Sequence, residues 1–221
     1  MKTIFIRMLA RLTRAQGLHI QALLFFALAI TAVVFAVGSE PVLLAALMPG
    51  IAWAVLLLSA LLGLGDVLEP DWADGTLDDM LLSQRPLPAL MAAKMLAHWL
   101  ATGLPASIAA TLCVGIMVPN TASTLPALFV GYALGSLCFS AIGIMAAALV
   151  LGSRRAATLL AVIVMPLCVP PLIFGAGQAA STQMGASPQA ALFLLAAFSC
   201  ASVTLAPFAA AAITRMKVTT P

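Results

Sequence analysis

The sequence predicts an all-α membrane protein of six transmembrane helices, on three observations. Hydrophobic residues make up 63% of the 221 positions, charged residues only 8%, and the mean hydropathy is +1.15, so lipid rather than water must solvate most of the chain. Apolar runs long enough to cross a hydrocarbon core fall at about 18–37, 41–64, 90–117, 125–151, 156–176 and 190–213, each near the 20 or so residues that a crossing needs. Every Lys and Arg falls outside alternate loops, as the positive-inside rule requires of a multi-pass protein.

The charge pattern orients the bundle. Lys2, Arg7, Arg11 and Arg14 precede the first span, Arg85 and Lys94 flank the junction of the second and third, Arg154 and Arg155 separate the fourth and fifth, and Arg215 and Lys217 follow the sixth. The loops near 38–40, 118–124 and 177–189 contain no Lys or Arg, which predicts both termini on the cytoplasmic side and three short outward loops. The chain reads as one transmembrane domain, with no room for a soluble catalytic or nucleotide-binding domain and no surface suited to nucleic acid.

Before the first span, Arg7, Arg11 and Arg14 share one helical face while Ile4, Met8 and Leu12 share another, as in a helix lying in the membrane interface over 1–17. Small residues at Ala36, Val37 and Gly38 resemble a signal-peptide cleavage site, but the apolar run is longer than the usual signal core, so a retained helix is expected.

The loop at 66–86 carries the one sizeable polar surface. Six of the seven acidic residues lie there: Asp66, Glu69, Asp71, Asp74, Asp78 and Asp79. Thr76-Leu77-Asp78-Asp79 fits a capping box, with Gly75 turning the chain before it and Pro86 stopping the helix after Arg85. Leu77 and Leu81, with Met80 beside them, give this short helix an apolar edge that cannot stabilise it alone. The membrane interface, the bundle itself or a partner must receive that edge, and spacing leaves these open. A carboxylate metal or acid–base site is the weaker reading, because no His lies close in sequence.

Other candidates are sparse. His98 lies one helical turn from Lys94; it is either a haem-iron ligand or, as the simpler reading has it, a side chain hydrogen-bonded across the bundle while Lys94 snorkels to the headgroups. His19 is read as interfacial. Cys113, Cys138, Cys168 and Cys200 stand apart in apolar runs, without metal or redox spacing. Prolines 105, 166, 170, 171 and 207 bend or break spans, and the stretch from 166 to 177 is a candidate broken helix at the outer mouth. Gly131, Gly135, Ser136, Ser140 and Gly143 permit close helix packing. The spans hold no acids, which argues against a proton- or sodium-driven carrier; no nucleophile or zinc motif appears, so no catalytic residue and no metal ligand is assigned.

Asp74-Gly75-Thr76-Leu77-Asp78-Asp79-Met80-Leu81-Leu82-Ser83, followed by Pro86-Leu87-Pro88, resembles the D-G-T/S-L-E-x-L-L-L-S-x-x-P segment of membrane subunits of ABC-2-type exporters. Together with the segments KMLAHWL from Lys94, TGLP from Thr102, PLCVPPLIFG from Pro166 and LAPFAAAA from Leu205, it resembles the haem exporter protein B (CcmB) family. The resemblance spans about 50–215. It implies a six-span permease subunit in the bacterial inner membrane, working in cytochrome c biogenesis with a second copy of itself, a cytoplasmic ABC ATPase that binds ATP and Mg, a haem-handling membrane protein and a periplasmic haem chaperone. No cofactor is expected to stay bound to this chain, with haem a possible substrate. Asp74, Gly75, Thr76, Leu77, Asp78, Asp79, Leu81 and Leu82 would form the ATPase-docking coupling helix, with Asp66, Glu69 and Asp71 as its acidic approach. The basic helix over 1–17 would be the elbow helix, and His98, Pro170 and Pro171 are candidates for the substrate path. A passive scaffold that recruits haem-handling proteins, and an exporter of another hydrophobic substrate, remain the alternatives.

Overall fold

The computed structural model describes residues 16–38, 40–82, 85–118, 123–183 and 187–219, and all the regular structure among them is helical. The expected elbow helix over 1–17, apart from its last two residues, lies outside the described residues, as does Ser83. The helices run α1 (Gln16–Val37), α2 (Pro41–Leu64), α3 (Glu69–Ala73), α4 (Thr76–Leu82), α5 (Leu87–His98), a π-helical turn (Trp99–Gly103), α6 (Leu104–Met117), α7 (Leu125–Val150), α8 (Ala156–Leu167), α9 (Val169–Gln183) and α10 (Gln189–Thr219). Proline in the first turn opens α2, α3, α5 and α7, where its missing N–H would have had no partner anyway.

Five helical stretches are long and apolar enough to cross a membrane, and a sixth crossing results if the bent pair α8–α9 counts as one. The chain is a multi-pass membrane protein. At its centre stands α7, which packs against α2, α5, α6, α8, α9 and, along the greatest length, α10. Small residues on α7 make that possible. A methyl group at Gly135 would sit 2.1 Å from the Trp53 ring, and one at Gly175 on α9 would sit 2.2 Å from the same ring. The indole is therefore clamped between two helices, with Tyr132 at 5.1 Å and Phe139 edge-on at 6.3 Å between ring centroids. Bulky side chains such as Leu28, Phe35, Ile116 and Phe193 point outward; on a bundle whose solvent is lipid these are the ordinary surface.

Three features of the spans have local causes. The fifth span, one apolar run over 156–176, is two helices bent by 52°, with the break inside the 166–177 stretch that is the candidate for one. Pro170 and Pro171 have no N–H to give to the carbonyls four residues earlier, so the ladder stops: Cys168 N–H turns back to Val164 O at 2.9 Å, and Leu172 N–H restarts from Cys168 O at 3.1 Å. The break comes twelve residues into the pair, about 18 Å along at 1.5 Å per residue. After it, α9 runs on to Gln183 where a loop from 177 was expected, because its polar residues find partners in the protein: Gln178 Nε2 donates to Ala127 O at 2.9 Å and Ser181 Oγ to Gly177 O at 2.8 Å. In the third span, the π turn at Trp99–Gly103 interrupts what reads as a continuous helix.

One end of the bundle gathers segments that the sequence places on one side of the membrane. The Trp72 ring of α3 lies 3.4 Å from where a methyl on Gly152 would be, and Lys217 Nζ donates to Leu151 O at 3.3 Å. The acidic loop, the turn before Arg154 and the end of α10 thus meet.

Candidate functional site

The acidic loop folds as two short helices joined by a glycine. Glu69–Ala73 closes on Asp74, whose N–H donates to Pro70 O at 3.0 Å. Gly75 then takes φ = +76°, a conformation costly for any residue with a Cβ. The cap differs from the expected capping box. Asp74 Oδ1, not Thr76, holds the start of α4 by accepting the Thr76 N–H at 2.9 Å, while Gly75 O accepts from Asp78 N–H at 3.0 Å. An Asx-type cap two residues ahead outcompetes the threonine because Gly75 brings the carboxylate directly over the helix end.

The helix α4 has two distinct faces. Leu77 is only 1% exposed, and Met80 and Leu81 pack partly buried against the same core, so the bundle itself receives the apolar edge. On the other face Asp78 and Asp79 are exposed, and Leu82 is 86% exposed. Asp66 and Asp74 are also exposed, Glu69 and Thr76 half-buried. The site residues Asp66, Asp74, Asp78, Asp79 and Leu82 therefore share access to solvent at one end of the molecule, whereas Leu77 and Leu81 hold the helix down.

Asp71 departs from its expected place in an acidic approach. It is buried and forms an ion pair with Lys94 of α5, whose Nζ also donates to Val67 O at 2.8 Å. Lys94 accordingly does not snorkel: seven residues inside α5, it lies about 10 Å from the helix start, where an ammonium without a carboxylate partner would be expensive. A lysine that deep is itself a signal for a buried acid, and the missing acid comes from the loop rather than from a span.

Below this pair a polar column continues through the third span. His98 is 2% exposed; its Nδ1 lies 3.0 Å from Ser140 Oγ and its Nε2 3.3 Å from Thr102 Oγ1. In the π turn, Trp99 Nε1 donates to Ser136 Oγ at 3.0 Å and to Ala133 O at 3.2 Å. Ser107 Oγ lies 2.9 Å from Ser136 Oγ and donates to Gly103 O at 2.7 Å. Side chains of the third span thus tie the bulge to α7, while its backbone ladder runs five residues back, Leu104 N–H to Trp99 O, as in π turns often found at functional positions. Trp99, Ser107 and Ser136 were not singled out together from the sequence; the only signal was a Ser/Thr run on facing spans. Both nitrogens of His98 are engaged, the arrangement of a side chain that ties helices together. Pro170 and Pro171 sit in the first turn of α9, which packs on α2, α7 and α10 rather than principally on α5, so the structure does not gather them with His98 into one pocket. Among the described residues no group of three His, Cys, Asp or Glu side chains is placed to hold a metal ion.

The comparisons agree with one another. The family described as CcmB protein matches residues 1–217. "Heme exporter protein B" of Paracoccus denitrificans is 42% identical over 218 residues, covering 99% of this chain and 100% of its own. Those of Pseudomonas aeruginosa and Escherichia coli are each 36% identical, over 99% of both chains and 88% of both chains respectively. On these near full-length matches, the chain belongs to the CcmB protein family.

Proposed function

We propose that this chain is the membrane subunit of an ABC transporter of the bacterial inner membrane, in which α4 docks on a cytoplasmic ATPase that supplies the energy. The observation that carries the reading is the division of labour on α4: Leu77 anchors the helix in the core while Asp78, Asp79 and Leu82 project from it. An exposed leucine ringed by carboxylates suits a groove with an apolar floor and a basic rim. The acids near the start of α4 also complement its dipole. The spans hold no acid that would serve ion-driven transport, so energy from a partner is the economical source.

The relatives' name, "Heme exporter protein B", gives haem as the cargo of the assembly, and c-type cytochrome biogenesis is the setting the sequence resemblance implies. We take both for this chain, with a second copy, a haem-handling membrane protein and a periplasmic haem chaperone as further partners. The six-span topology with both termini inside follows from the basic residues. The test is to purify the chain in nanodiscs with the ATPase subunit and measure association and ATP hydrolysis. Stimulation of hydrolysis by the wild-type chain, lost in Asp78→Lys with Leu82→Ala, is the expected result. Normal c-type cytochrome maturation with ATP hydrolysis blocked would instead make the chain a passive scaffold.

A further inference from the structure

We infer that Asp71 and Lys94 are positioning residues that pass movement of the acidic loop into the π turn of the third span. The inference rests on the docking role proposed for α4. The geometry behind it is a set of polar contacts strung along the backbone of α5 and the π turn. The loop helix α3 is joined to α5 by the buried Asp71–Lys94 ion pair, and the same ammonium holds Val67 O at the loop's start at 2.8 Å. One helical turn deeper on α5, His98 bonds Ser140 on α7, and the π turn begins at the next residue. There Trp99, Ser136 and Ser107 form the hydrogen-bonded cluster that fixes the bulge against α7.

A buried ion pair is seldom the cheapest way to stabilise a bundle; an apolar pair of similar volume does as well or better. What it provides is direction. A charge held between a carboxylate and a backbone carbonyl resists sliding, whereas dispersion contacts between aliphatic side chains slide with little loss. Trp72, next in the chain, leans on Gly152 of the α7–α8 turn, so α3 is held from two sides. A push on α4 therefore turns α3 against Lys94. The nearest part of the third span able to yield is the π turn, whose hydrogen bonds already run outside the α-helical ladder.

The test compares amide hydrogen exchange across 99–107 in the nanodisc assembly with its ATPase, with and without Mg-ATP. In the wild type, exchange should change by about fivefold or more, the low end of ordinary coupling factors. In Asp71→Leu with Lys94→Met, ATPase affinity should stay within about twofold while that response is lost. Asp71→Asn with Lys94→Gln serves if the apolar pair does not fold. A full response in either double variant overturns the inference, and so does loss of ATPase affinity in both, which would return Asp71 to the docking face. Failure of the docking reading is separate: it shows as undiminished ATPase binding by Asp78→Lys with Leu82→Ala.

Discussion

Lys94 is the residue where charge and membrane meet. Its ammonium is buried, bonded to Asp71 and to Val67 O, and removing one partner strands the other in a dry site. Asp71→Ala or Lys94→Ala should lower unfolding stability by about 3–5 kcal/mol, whereas Asp71→Leu with Lys94→Met should stay near wild type; thermal unfolding in detergent measures both. Ser136 is a milder case. It accepts from Trp99 and lies against Ser107, but Trp99 Nε1 also donates to Ala133 O. Ser136→Ala should therefore cost only about 1 kcal/mol, in the range of interhelical side-chain bonds in membranes, by the same assay. The sequence displayed Lys94 and His98 as neighbours on one face. It did not display the partner of Lys94, because Asp71 is 23 residues away and sat among five other acids with nothing local to set it apart.

At the scale of the element, the spans were legible as apolar runs and their interruptions were not. Pro170 and Pro171 announced a break, yet its depth depended on where the ladder could restart, at Cys168 O. The π turn left one faint local mark: Trp99–Gly103 reads as ordinary helix, but Pro105, two residues beyond it, has no N–H to give to the ladder. The glycines of α7 signalled close packing but not which side chain fills the space. That side chain is Trp53, and its ring leaves no room for a methyl at either Gly135 or Gly175. Gly135→Ala or Gly175→Ala should each destabilise the bundle by about 1–3 kcal/mol through overpacking, with Trp53→Phe in the same background recovering part of the loss. Unchanged thermal stability in both alanine variants would show that the indole is not clamped as described.

At the scale of the whole molecule, the proposed orientation puts one end of the bundle in the cytoplasm. The acidic loop meets the α7–α8 turn through Trp72 and Gly152, and α10 meets that turn through Lys217 and Leu151. Cysteines introduced at Asp66 and Arg155 should therefore react with a membrane-impermeant maleimide only after the cells are permeabilised, and one at Glu40 in intact cells. Equal labelling of all three from outside would contradict the orientation. The most direct test of the central claim is the affinity of the partner ATPase for the chain in nanodiscs. Asp78→Lys with Leu82→Ala should weaken it at least about tenfold, or 1.4 kcal/mol, with the bundle still folded. An affinity unchanged by these substitutions would contradict the assignment of α4 as the docking helix.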